Sequence, residues 1–85
     1  MATWSVYILR CSDDSLYTGI TVDLPRRCQQ HNSGTASRYT RSRLPTALAY
    51  SESQETRSDA LKREASIKRL TRRQKLALIR RPPVS

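Results

Sequence analysis

Two runs of strand-forming residues on either side of a five-residue turn open the chain. Trp4-Ser-Val-Tyr-Ile-Leu-Arg10 is rich in aromatic and β-branched types with weak polar alternation, which marks a mostly buried strand. Cys11-Ser-Asp-Asp-Ser15 carries turn chemistry, and Leu16-Tyr-Thr-Gly-Ile-Thr21 reads as a second strand, so the pair forms a β-hairpin. Side chains alternate faces along a strand, and a turn centred near Ser12 or Asp13 sets residues of the same parity opposite one another. Tyr7, Tyr17 and Gly19 then share one face. Trp4, Val6, Ile8, Leu16 and Ile20 share the other, which is more apolar and is expected to lie under a helix.

Asp23-Leu24-Pro25 has the chemistry of a helix start and Asn32-Ser33-Gly34 that of a stop, which predicts a short helix over about 25–32. Arg27 and His31 are four residues apart and share a face of it, while Leu24 and Cys28 make a narrow apolar contact on another. Residues 34–45 are polar and basic and read as a loop, with a helical turn at 37–42. Thr46–Tyr50 reads as a third strand, the minimum for a stable sheet. Thr56 or Ser58 is expected to cap a helix running to about Leu70. Thr71-Arg-Arg-Gln74 matches a capping box and starts a final helix over 72–81, which Pro82-Pro83 ends.

Composition bounds what such elements can become. With 36% apolar residues in 85, the chain makes one small domain with a thin core, assigned to residues 1–81 with 82–85 as a tail. Sixteen Lys and Arg against seven Asp and Glu leave a net charge of +9 and a pI near 10.6, which points to a polyanionic partner. The excess is concentrated at 57–81, where ten Lys and Arg face Asp59 and Glu64 alone. No apolar run approaches the roughly 20 residues that span a bilayer, and no signal segment opens the chain, so a cytoplasmic protein is expected. An amphipathic membrane-surface helix at 72–81 ranks last, being short and without an aromatic anchor. Cys11, Cys28 and His31 are the only soft ligands, and their spacing matches no zinc pattern. A disulfide between the cysteines stays open at this level, although reduced thiols filling small packing positions are the preferred reading.

On a helical wheel of about 100° per residue, Ala60, Leu61, Ala65 and Ile67 define the apolar arc of the helix from Thr56. Glu64 falls inside that arc, whereas Lys62, Arg63 and Arg69 fall on the outer face. An inward carboxylate must meet a cation, a hydrogen-bond network or a metal. Alone, Glu64 is explained by a salt bridge to Lys68, its i+4 neighbour. Strand tyrosines are also ordinary when taken singly. Two tyrosines on one sheet face, a Gly that admits a phosphate or a backbone, an Arg and a His on one helix face and an inward Glu together suit phosphodiester chemistry.

Ser5-Val6-Tyr7 and Tyr17-Thr18-Gly19 resemble the two strand motifs that name the GIY-YIG nuclease superfamily, with the tyrosines and the final Gly kept. The leading Gly is replaced by Ser5 or Val6 and the middle Ile by Thr18. Asp23–Asn32 resembles the helix carrying that family's arginine, placed at Arg27 with His31 one turn on, and Leu61-Lys-Arg-Glu64 resembles the helix carrying its metal-binding acid. The likeness runs over residues 3–79 and is strongest to the small standalone bacterial YhbQ-like branch. It implies an α+β fold, a three-stranded antiparallel β-sheet flanked by α-helices, and one-metal phosphodiester hydrolysis. Glu64 would hold Mg²⁺ or Mn²⁺, Arg27 the scissile phosphate, and Tyr7 would activate the attacking water, with Tyr17 and His31 orienting water and phosphate. A phenol with a pKa near 10 needs a cationic neighbour or a hydrogen-bond partner for that role.

Gly19, Arg26, Arg38, Arg41, Lys68, Arg72, Arg73 and Lys75 are the expected nucleic-acid contacts, with DNA favoured over RNA and a monomer favoured. Two function classes remain at this level: a metal-dependent nuclease, and a basic nucleic-acid-binding module with little or no catalysis on the same scaffold.

Overall fold

The computed structural model describes residues 3–81, and places β1 (Trp4–Arg10) between β2 (Leu16–Thr21) and β3 (Ala47–Gln54). Both neighbours pair with it antiparallel, in the order β2-β1-β3. A central strand has both edges hydrogen-bonded and both faces covered, which is why Val6, Tyr7, Ile8 and Leu9 are all buried and why polar alternation is weak there. Tyr7 pairs with Gly19 and Val6 with Ile20, the parity expected from the turn.

The third strand extends well past the expected 46–50, and continues through Ser51–Gln54 opposite Trp4–Tyr7. Its polar composition hid this, because an edge strand needs only one face and one ladder of backbone partners. A register shift between Ile8 and Leu9 changes the opposing residues from Tyr50 to Leu48, leaving Ala49 as the extra residue of a bulge.

Four helices follow their capping chemistry. α1 (Leu24–Asn32) starts at Asp23, whose side chain accepts from the Arg26 amide, with Pro25 in the first turn. The helical turn expected at 37–42 is α2 (Arg38–Arg41), capped by Ser37. Thr56 caps α3 (Arg57–Lys68), and Thr71 with Gln74 forms the capping box of α4 (Arg72–Arg80). Pro82-Pro83 and the tail at 82–85 lie outside the described residues.

Val6 and Ile8 meet Ala60, Ile67 and Leu78, so α3 and α4 cover the apolar face of the hairpin as expected. Trp4, Leu16, Ile20, Tyr50, Leu70 and Ile79 close the rim of this core.

The orientation of α3 departs from the wheel. Leu61 and Ala65 are exposed, and Arg63, expected on the outer face, turns inward beside Ala60 and Ile67, whereas Glu64 is inward as expected. Glu52 on β3 is the reason: it accepts from Arg63 Nε at 3.0 and 3.1 Å, from Tyr50 Oη at 2.7 Å and from Gln54 Nε2 at 2.7 Å. That network supplies the partners an inward guanidinium requires.

Candidate active site

Tyr7 leaves the centre of the sheet on the face opposite the main core, and its phenol lies over β2. A Cβ at Gly19 would stand 2.6 Å from Tyr7 Oη and 2.7 Å from Cζ, so the missing side chain makes room for the phenol. This corrects the expected role of Gly19: it is buried, and the space it leaves is filled by Tyr7 rather than offered to a nucleic acid.

α1 brings His31 onto the same phenol. Tyr7 Oη and His31 Nε2 lie 2.9 Å apart, and on the other side of the ring His31 Nδ1 lies 2.8 Å from Thr40 Oγ1 of α2. All three side chains are buried, at 2% exposure or less. Tyr17 sits edge-on to His31 with ring centroids 5.1 Å apart, and 6.5 Å from Tyr7. Outward from Tyr17 the stack continues to Tyr39 at 6.0 Å and then to the Arg43 guanidinium, 3.9 Å above the Tyr39 ring. Arg43 is tied in turn to Asp13 at 3.0 Å, so the hairpin turn, α2 and the tyrosines form one connected body.

Burial pushes the Tyr7 phenol well above its ordinary pKa, with a further push from Tyr17 that the Arg27 charge only partly opposes. His31 moves the other way, below 6.5, because burial and the nearby Arg27 both disfavour an imidazolium. A protonated phenol thus faces a neutral imidazole at neutral pH. Arg27 is close enough to act on both, and among the described residues its guanidinium has no ion pair or side-chain hydrogen bond.

Glu64 also lies near enough for its charge to raise the Tyr7 phenol, the smallest of the contributions. Its carboxylate is largely covered, 19% exposed, and its ionic partner is Lys68 Nζ at 3.7 Å from one oxygen. The i+4 pair expected from the sequence forms, yet it is loose, and among the described residues no hydrogen bond occupies the oxygens. Such a carboxylate fits a hard divalent cation that keeps most of its waters. Among the described residues no cluster of three or more His, Cys, Asp or Glu stands ready to enclose a metal.

The expected nucleic-acid contacts divide by how free they are. Arg26, Arg38, Arg41, Lys68 and Arg73 are exposed and Lys75 is half-buried. Arg72 is exposed but engaged, donating from Nη1 to the Asp14 carbonyl at 2.6 Å and so tying α4 to the hairpin turn. Arg72, Arg73 and Arg80 rim a shallow depression floored by Leu76 and Ala77. Both cysteines are free thiols, Cys11 buried and Cys28 half-buried on α1.

Sequence reasoning missed Thr40, Tyr39 and Glu52. Nothing local marks the first two, which lie in a polar loop and meet the site only when α2 folds against α1 and β2. An acid alternating with Tyr50 and Gln54 along one face of a strand was the available signal for Glu52.

Comparison with known proteins bears on the family and the fold. A family model described as the GIY-YIG catalytic domain matches residues 3–77. A UPF0213 protein of Staphylococcus aureus is 52% identical over 75 residues, covering 88% of this chain and 92% of that protein. Two solution NMR structures are similar at 40% identity: the UPF0213 protein BH0048 from Bacillus halodurans, with a TM-score of 0.59 over 91% of this chain and 82% of that one, and the protein EF2693 from E. faecalis, with a TM-score of 0.62 over 92% and 84%. With its family model matched from the first strand into the last helix, and with relatives aligned over most of their length, the chain belongs to the GIY-YIG nuclease family.

Proposed function

We propose that this protein is a metal-dependent endonuclease that hydrolyses phosphodiester bonds in nucleic acid, with DNA as the favoured substrate. The observation that carries the reading is the buried 2.9 Å bond between Tyr7 Oη and His31 Nε2, beside the Arg27 guanidinium, which among the described residues forms no ion pair.

Arg27 holds the scissile phosphate through charge-assisted hydrogen bonds. Tyr7 Oη accepts a proton from the attacking water as its own O–H proton passes to His31 Nε2. A free phenolate is therefore never required, which matters because burial strongly disfavours one. Burial and, second to it, the Arg27 charge keep His31 neutral; phosphate on Arg27 offsets that second contribution, so substrate binding makes the imidazole a better proton acceptor. Tyr17 packs against both rings and holds their geometry. Glu64 would hold a divalent cation, which would supply charge stabilisation at the phosphodiester oxygens. Arg26, Arg38, Arg41, Arg73 and Lys75 contact backbone phosphates without reading sequence.

A second reading, a binding module with little catalysis, draws on the Glu64–Lys68 pair, which already gives the acid a partner. Labelled single-stranded, duplex, flapped and branched DNA and RNA, incubated with Mg²⁺, Mn²⁺ or EDTA, separate the two. The nuclease reading expects cleavage that needs metal and is lost in Tyr7→Phe and Glu64→Ala. Binding without cleavage, indifferent to EDTA and to both substitutions, overturns it in favour of the binding module.

A further inference from the structure

The Tyr7–His31 contact can form in two ways, and only one of them serves a proton transfer out of the phenol. If Nε2 carries the ring proton it donates to Tyr7 Oη; if Nδ1 carries it, Nε2 accepts from the phenol. Counting donors decides between them. Tyr7 is 2% exposed, and among the described residues His31 Nε2 is the hydrogen-bond partner of its hydroxyl. With the proton on Nε2, the Tyr7 O–H is left as a buried donor with no acceptor among the described residues, while Thr40 Oγ1 donates to Nδ1. With the proton on Nδ1, every donor is used: Tyr7 O–H to Nε2, Nδ1–H to Thr40 Oγ1 at 2.8 Å, and Thr40 O–H onward to the Ser37 carbonyl at 3.5 Å.

Thr40 is placed for this by the local fold. Ser37 caps α2 and accepts from the amides of Tyr39 and Thr40, which turns the Thr40 side chain back towards the Ser37 carbonyl and into the protein, where it is fully buried. α2 is tied to the hairpin turn by the Tyr39–Arg43–Asp13 chain.

We infer that Thr40 is a positioning residue: its hydroxyl accepts the His31 Nδ1 proton and so holds the imidazole in the tautomer whose Nε2 takes the proton of Tyr7. The fixed tautomer is a property of the resting protein, while its consequence for catalysis rests on the nuclease reading above.

His31 is the chain's single histidine, so a long-range ¹H–¹⁵N spectrum of uniformly labelled protein contains one imidazole. Wild type and Thr40→Ser are expected to show a protonated Nδ1 and an unprotonated Nε2. In Thr40→Val, which keeps the shape and removes the acceptor, the two nitrogen shifts move together or exchange. Thr40→Ala carries the same expectation and covers the case in which the valine variant does not fold. A wild-type spectrum with Nε2 protonated overturns the inference, and so does a Thr40→Val or Thr40→Ala spectrum that matches wild type. These readings need no substrate, so a failed cleavage assay leaves them intact. Where cleavage is measured, Thr40→Val is expected to lower kcat about 10- to 100-fold with KM little changed, and Thr40→Ser to restore it. Loss in both variants alike would overturn the tautomer role in favour of a purely steric one.

Discussion

A methyl group added at Gly19 would meet the Tyr7 phenol at 2.6 Å, and because Tyr7 is buried on all sides the ring has no free volume to enter. Gly19→Ala is therefore expected to cost about 1–3 kcal/mol, read from urea denaturation, and to displace the phenol from His31. Tyr7→Phe keeps the ring but removes the hydroxyl. It leaves the His31 nitrogen without its partner and should cost about 1–3 kcal/mol in the same measurement. His31 also sets a pH dependence whose sign follows from its environment. Its folded pKa is depressed below 6.5 by burial and Arg27, so the unfolded chain binds the proton first. The stabilisation is present above pH 6.5 and is lost progressively as pH falls from there towards the folded value. Urea midpoints at pH 7.5, 6.5 and 5.5 should therefore decline, and His31→Gln should flatten the series. At this scale the sequence was informative about which residues come together: parity put Tyr7, Tyr17 and Gly19 on one face, and i+4 spacing put Arg27 beside His31. It could not say what Gly19 was small for, because a Gly that admits a ligand and a Gly that admits a neighbouring side chain look alike in a sequence.

Element by element, boundaries were most legible where a cap announced them. Asp23, Ser37, Thr56 and Thr71 each accept from a helix amide, and each starts the helix that follows it. The orientation of α3 was not legible, because its apolar arc is broad and interrupted by Glu64, and the inward face is chosen by what β3 presents. Tyr50, Glu52 and Gln54 stand on the same side of that edge strand, and Glu52 draws Arg63 inward. Two consequences are measurable. Ile67→Ala, at a site with no exposed surface, should cost about 2–5 kcal/mol. A double-mutant cycle on Glu52→Ala and Arg63→Ala should return a coupling of about 0.5–3 kcal/mol, since both singles break one network. A coupling near zero would mean that the cluster fills space without adding energy, and that something else turns α3.

Over the whole molecule, the +9 charge predicts an interaction whose strength depends on salt. Each phosphate neutralised by Lys or Arg contributes about 0.9 to the slope of log affinity against log salt on duplex DNA. Replacing exposed Arg73 by Gln should lower that slope by close to one contact, measured by fluorescence anisotropy across a salt series. Arg72→Gln should do less to the slope and more to the unfolding midpoint, because its guanidinium already holds the Asp14 carbonyl. The sequence by itself determined the hairpin, the faces of its strands, the helix starts and the charge, since each depends on residue type at short range. Tertiary structure alone decided that Thr40 meets His31, that Glu52 meets Arg63 and that the phenol occupies the space over Gly19. Those contacts join residues 9, 11 and 12 apart through the packing of separate elements, and no local preference encodes which partner a buried donor will find.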